Sequence, residues 1–141
     1  MIRIFAFFLL AQNFALNGAE LKDVRGKSWQ PLSPNGYKAA VLFFITHDCP
    51  IANKMAPEIK RITKKYAKEI KFTLVYTDPE MTQAEVLEHI KSYGYEEQVA
   101  IHDREHQLVR ATRATITPQA AVLMHKRLVV YLGRINNYYA D

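Results

Sequence analysis

Cysteine is almost absent from this chain of 141 residues, which carries one, Cys49. A single thiol cannot close an intramolecular disulfide, so any redox chemistry it performs needs a second sulfur from elsewhere. Long apolar runs are absent too: no stretch reaches the roughly eighteen residues of a helical membrane span. Glycine is sparse, at five residues, and no Gly-rich loop of the phosphate-cradling kind occurs. There is no paired-carboxylate site, internal repeat or low-complexity tract. Neither sign of charge dominates, since 19 Lys and Arg face 14 Asp and Glu for a formal net charge of +5. Lys54, Lys60, Lys64, Lys65 and Lys68 fall within one helical stretch and read as its solvated face. Aromatics interleaved with basic residues are wanting, which argues against a nucleic-acid partner.

What is present is enough apolar material for one domain: hydrophobic residues make up 49% of the chain, with eight Tyr and seven Phe. The first nineteen residues stand apart. Met1-Ile2-Arg3 gives a positive start, Ile4 to Leu10 is a short apolar run, and Asn17-Gly18-Ala19 offers small residues before Glu20. That layout predicts a secretory signal peptide over residues 1–19 and a single domain over 20–141. The expected location is therefore exported, periplasmic or extracellular.

From Glu20 onward, apolar periods alternate. Leu21 to Trp29 is mixed, with a turn near Gly26, and Ser33-Pro34-Asn35-Gly36 is a second turn. Ala39 to Thr46 is a nearly continuous apolar run, as in a strand buried on both faces. Ile51, Met55, Ile59, Ile62, Tyr66 and Ile70 recur at helical spacing, with Pro57 expected to kink the helix. Ile70 to Thr77 predicts a second buried strand, ended by Asp78-Pro79. Thr82-Gln83-Ala84-Glu85 is a capping box opening another helix, with Val86, Leu87, Ile90 and Tyr93 inward and Gly94 as its stop. Val99 to His102 predicts a short strand, and Arg104 to Thr112 a short helix. Ala120 to Met124 and Leu128 to Leu132 predict an antiparallel hairpin. The fold class expected is α/β, with a central mixed β-sheet flanked by helices.

Cys49 lies directly after the first buried strand and directly before the kinked helix. The first turn of a helix carries unpaired N–H groups and the positive end of the dipole. A thiol placed there gives up its proton more readily, and the thiolate is the reactive form. Pro50 suits the first helical position and forfeits no hydrogen bond. Junctions of this kind open at the carboxyl edge of a sheet, where ligands bind.

The segment from Phe43 through Thr46-His47-Asp48-Cys49-Pro50 to Pro57 resembles the active-site segment of the thioredoxin-like superfamily. It is most similar to exported bacterial redoxins of the alkyl hydroperoxide reductase and thiol-specific antioxidant type. Cys49 matches the first cysteine of the Cys-x-x-Cys motif, Pro57 the helix-kinking proline, and Thr117-Pro118 the cis-proline that faces the sulfur. Tyr131-Leu132-Gly133-Arg134-Ile135-Asn136-Asn137 resembles a segment closing the last strand in that group. The likeness runs over about residues 20 to 139. It implies a site of Cys49, Pro118 and Thr46, supported by His47, Asp48, Pro50, Thr117 and Arg134. It implies a protein or small-molecule thiol or disulfide as partner, and neither cofactor nor metal. The functional terms it brings are oxidoreductase, antioxidant and cell redox homeostasis.

Two departures limit what carries over. Ala52 occupies the place of the second, resolving cysteine. The sequence also ends at Asp141, so the C-terminal helix usual in that group is expected to be missing, leaving a sheet face for a dimer or partner to cover. Three functions remain open. One is a one-cysteine thiol–disulfide oxidoreductase working through a mixed disulfide. A second is a one-cysteine peroxidase acting on peroxide: Thr46 and Pro50 fit the peroxiredoxin pattern, Leu42 departs from its proline, and Arg113 or Arg134 would have to reach the sulfur. A third is a thioredoxin-like binding module without catalysis. A copper site built on Cys49 and His47 lacks ligands. His89 is expected on the solvated side of its helix, His102, Asp103 and His106 as loop polarity, His125 exposed at a turn, and Trp29 in the core. Tyr138-Tyr139 is expected to cap the sheet end.

Overall fold

A computed structural model describes residues 20–137. The leader expected over residues 1–19 and the Tyr138-Tyr139 pair lie outside the described residues. The described chain opens on a small hairpin in which β1 (Leu21–Lys22) pairs antiparallel with β2 (Ser28–Trp29). Asp23 closes its turn by accepting the backbone N–H groups of Arg25 and Lys27 at 2.9 and 2.8 Å.

The apolar run after the second turn becomes β3 (Ala39–Ile45), buried at every position. It lies at the centre of a five-stranded sheet ordered β5-β4-β3-β6-β7. On one side β3 runs parallel to β4 (Ile70–Tyr76), which runs parallel to β5 (Ala100–His102). On the other it runs antiparallel to β6 (Gln119–Leu123), which pairs antiparallel with β7 (Val129–Gly133). The sheet is therefore mixed, as expected.

Helices cover both faces, and the alternation along β3 shows why it has no polar position. Val41, Phe43 and Ile45 pack with Met55, Ala56 and Ile59 of the first helical segment and Val86 and Ile90 of the next. Ala40, Leu42 and Phe44 point the other way, toward Leu108, Ile101 and Leu123. The first helical segment is broken as Pro57 demands: α1 (Pro50–Lys54) ends at Met55, and α2 (Ala56–Tyr66) continues from it. Proline has no N–H to give the Asn53 carbonyl one turn back, and the ladder resumes at Ile59 N–H to Met55 O, 2.9 Å. Two ends of the predicted stripe are not core: Ile51 and Tyr66 are exposed, and Ile70 belongs to β4.

The α3 helix (Gln83–Tyr93) starts on the expected capping box, with Thr82 and Glu85 bonded reciprocally, and ends on Gly94 at φ +69°. The inward face differs from the sequence reading. Leu87 is exposed, while His89 is buried with Val86 and Ile90. Positions 86, 89, 90 and 93 form the i, i+3, i+4, i+7 stripe, and Leu87 lies about 100° off it. A histidine can occupy that stripe when both ring nitrogens find partners, as they do below.

The α4 helix (Gln107–Thr112) lies over the second face. Buried Asp103 anchors it by accepting the N–H groups of Leu108 and Val109, each at 3.0 Å. Asp103 is thus more than loop polarity. Trp29 sits at the core margin, half-buried, donating from Nε1 to Thr73 Oγ1 at 2.8 Å with Lys71 Nζ 4.4 Å above its ring. Burial lowers the Lys71 pKa, and its ammonium is bonded to the Gln30 and Ser33 carbonyls at 2.6 and 3.1 Å. His125 is exposed in the turn between β6 and β7. In β7, Tyr131 donates from its hydroxyl to the Arg134 carbonyl at 2.7 Å, and a Cβ at Gly133 would lie 2.7 Å from that hydroxyl oxygen. Glycine there makes room for the ring. Leu128, Val130 and Tyr131 are exposed along this edge.

Candidate active site

Cys49 is the N-cap of α1, with extended backbone (φ −80°, ψ 110°), and Pro50 occupies the first helical turn. Its sulfur accepts the Ala52 N–H at 3.5 Å, so the helix start directs a donor at the thiol. The loop before β6 crosses the same sulfur. The Thr117–Pro118 peptide bond is cis, and Cys49 Sγ lies 3.9 Å from the Thr117 carbonyl oxygen. Strand β3, the start of α1 and the loop before β6 thus bring Cys49, Pro50, Thr117 and Pro118 to one edge of the sheet. Cys49 is half-buried, neither sealed in the core nor fully open.

The other expected site residues divide. Thr46 and His47 are half-buried and Asp48 is exposed. Among the described residues, no hydrogen bond joins Thr46 to the sulfur, and none comes from Arg113 or Arg134, both of which are exposed. His47 Nδ1 has no hydrogen-bond partner, and its nearest acid oxygen is Asp78 Oδ2 at 3.7 Å. Ala52, in the place of a second thiol, is buried against the core.

Two histidines read as loop polarity do specific work on the corner after β4. His102 and His106 each donate from Nε2, to the carbonyls of Asp78 and Thr77, both at 2.7 Å. They hold the corner that carries Asp78 toward His47. Among the described residues, no group of three or more His, Cys, Asp or Glu side chains converges as metal ligands. A cleft of about 290 Å³ opens beside the Thr117 loop, lined by Phe44, Thr77, His106, Val109, Ile116 and Thr117.

The residue that sequence reasoning misplaced is His89. Its ring nitrogens lie 2.9 Å from the Tyr76 hydroxyl and 2.8 Å from Asn53 Oδ1. Asn53 in turn donates from Nδ2 to the His47 carbonyl at 2.8 Å, two residues before the thiol. The available signal was its position in the i, i+3, i+4 stripe, which its polarity hid. Burial lowers the His89 pKa, and neighbouring His47 adds to that, while burial raises the Tyr76 pKa.

The His89 shift has a sign that can be measured. Folding holds its pKa below the free value of about 6.5, so above that pH both states carry neutral His89 and stability is full. As pH falls from about 6.5 through the folded pKa, the unfolded chain takes up the proton first and stability declines. Urea midpoints between pH 8 and pH 5 are expected to fall, and His89→Gln to flatten that decline. An unchanged slope in the variant would remove His89 as its source.

Three comparisons with known proteins bear on this arrangement. The sequence matches no protein-family model and no curated protein. Solved structures do match. The dsbF protein of Mycobacterium tuberculosis superposes with a TM-score of 0.70 at 19% identity, over 83% of this chain and 84% of that one. The fold is thioredoxin-like. StoA from Bacillus subtilis gives 0.68 at 20% identity over 80% and 84% of the two chains. A thiol-disulfide oxidoreductase from Bacteroides fragilis gives 0.69 at 13% identity over 84% and 88%. The thioredoxin-like domain thus places its thiol, helix start and cis-proline loop on one sheet edge, without a second cysteine.

Proposed function

We propose that this chain is an exported thiol–disulfide oxidoreductase that works through Cys49 alone. The observation that carries the reading is the position of the sulfur, capped by the Ala52 N–H and lying against the Thr117 carbonyl before cis-Pro118. A solved neighbour described as a thiol-disulfide oxidoreductase supports it. The Cys49 thiolate attacks one sulfur of a substrate disulfide, forms a mixed disulfide, and expels the other sulfur as a thiolate. A second thiol, from the substrate or a small molecule, then attacks the mixed disulfide and releases Cys49 as thiolate. One disulfide is broken and one formed, so the cycle shuffles disulfides without a net oxidant. Site roles follow: Pro118 and Thr117 present backbone to the substrate chain, and Thr46, His47, Asp48 and Pro50, which flank Cys49 in the chain, tune the thiolate. The cleft beside Thr117, with Val109 and Ile116 in its lining, suits an apolar side chain of the substrate. The leader over residues 1–19 would deliver the domain to an oxidising compartment. No helix among the described residues is long and apolar enough to cross a membrane.

The test offers two substrates in parallel. With a glutathionylated or scrambled-disulfide protein, rapid exchange and a trappable Cys49 adduct are expected, both lost in Cys49→Ser. With hydrogen peroxide, slow oxidation is expected. Fast sulfenic acid formation would instead make the chain a peroxidase, and inertness to both would make it a binding module.

A further inference from the structure

We infer that the chain Tyr76–His89–Asn53, buried at Tyr76 and His89 and half-buried at Asn53, is a positioning device for the Cys49 turn, a role that rests on the thiol chemistry proposed above for its meaning. Three hydrogen bonds in series carry the inference, and their directions are fixed from one end. Asn53 donates from its amide nitrogen to the His47 carbonyl at 2.8 Å, so its amide oxygen is the atom facing His89 at 2.8 Å. An oxygen can only accept, so His89 Nε2 carries the proton. Neutral His89 then presents Nδ1 as an acceptor, and the Tyr76 hydroxyl donates to it across 2.9 Å. Burial keeps both rings in the forms this requires: it lowers the His89 pKa and raises that of Tyr76.

The surroundings leave the imidazole little freedom. Tyr93 stacks on it with centroids 4.4 Å apart, and Tyr76 meets it edge-on at 86°. Tyr95 lies 6.4 Å away. Tyr76 is the last residue of the fully anchored strand β4, and His89 belongs to α3. The chain therefore links the sheet and α3 to the His47 carbonyl, two residues before Cys49 in the turn that enters α1. Asn53 also sits in α1, whose Ala52 N–H faces the sulfur. Both supports of the thiol thus meet at one amide side chain. Burying polar groups such as Tyr76 and His89 costs desolvation unless they are paired, and here each reaches its partner.

The experiment compares His89→Gln with His89→Asn, together with Asn53→Ala. Glutamine carries its amide nitrogen near the place of Nε2 and can still donate to Asn53, whereas asparagine is too short. The readout is the second-order rate of Cys49 alkylation by iodoacetamide at pH 7, with urea midpoints measured alongside. A lost hydrogen bond at this point predicts a fall of about tenfold in His89→Asn and Asn53→Ala, with His89→Gln near wild type. Equal rates in the Gln and Asn variants would overturn the assignment, as would wild-type rates in Asn53→Ala. Nitrogen chemical shifts of the wild-type imidazole provide a check that needs no variant: the Nε2–H neutral tautomer is expected, and the Nδ1–H form overturns the chain. Alkylation reads the thiol whether or not a substrate is turned over. Failure of disulfide exchange by the wild type would sink the proposed function, while unchanged alkylation across the variants would sink the positioning role.

Discussion

Ala52→Cys is expected to convert the one-thiol chain into a dithiol that closes on itself and no longer accumulates a mixed disulfide. Cys49 caps α1, and residue 52 lies in its first turn, with the backbone nitrogen of Ala52 3.5 Å from the sulfur. A disulfide needs Cβ atoms about 3.8 Å apart, and the variant tests whether residues 49 and 52 reach that separation. Once Cys49 bears a substrate, the neighbouring thiol attacks it at an effective concentration no free thiol matches, since it is held by the same helical turn. The adduct trapped on the wild type should fall to about a tenth or less in the variant. Oxidised variant protein should show neither thiol to an alkylating agent, and reduction should restore both. Ala52 is 2% exposed within the core around Phe43 and Met55, so the extra sulfur costs about 1 kcal/mol of overpacking. Two thiols that alkylate independently under glutathione disulfide would show that the site geometry is not that of a dithiol centre.

That result also bears on why a lone thiol would be retained. In a dithiol centre the second thiol ends the encounter by attacking the first sulfur of the mixed disulfide, closing an intramolecular disulfide and releasing the substrate as a thiolate. Here the residue in its place is a methyl group packed into the core, and among the described residues the hydrogen-bonding groups at the Cys49 sulfur are a backbone N–H and a backbone carbonyl. Release then depends on an incoming thiol. The lifetime of the adduct should accordingly shorten in proportion to the concentration of added glutathione, a dependence that Ala52→Cys removes.

Much of this was legible in the sequence because it rests on local rules. A seven-residue apolar strand, a proline two turns into a helical stretch and a capping box each report a backbone constraint within a few residues. So β3, the break between α1 and α2, and the start of α3 fell where expected, and with them the placement of Cys49. Contacts between distant segments were illegible. Nothing in the polarity of His89 says that Tyr76 and Asn53 wait for its two nitrogens, 13 and 36 residues away. Lacking that knowledge, an imidazole was assigned to water and Leu87 to the core, the reverse of the arrangement found. Asp103 is a similar case, since its carboxylate is buried because it holds two N–H groups at the start of α4. Arg113 and Arg134 show the limit from the other direction. Spacing could nominate them, but only the fold shows that neither hydrogen-bonds the sulfur.

Phe44→Ala is expected to be the most destabilising single change, by about 3–5 kcal/mol. Phe44 has no exposed surface and lies in the central strand, paired with Val75 on one side and Gln119 on the other. Its ring packs among Leu42, Val75, Ile101, Leu108 and Leu123, contributed by four strands and α4. Strands bonded on both edges cannot move together to fill the space left by a phenyl ring, so the cavity persists and its cost is added to the lost transfer energy. Against a typical total of about 5–15 kcal/mol, such a loss lowers the melting temperature on the order of 10–20 °C. Leu128→Ala is the control: at 62% exposure it truncates an apolar side chain at the surface and should change stability by less than about 0.5 kcal/mol. Phe44 also lies behind the cleft beside Thr117. The variant should retain Cys49 alkylation where it remains folded. A Phe44→Ala protein that unfolds within about 1 kcal/mol of wild type would mean that this face of the sheet relaxes into the void, contrary to a centre held on both edges.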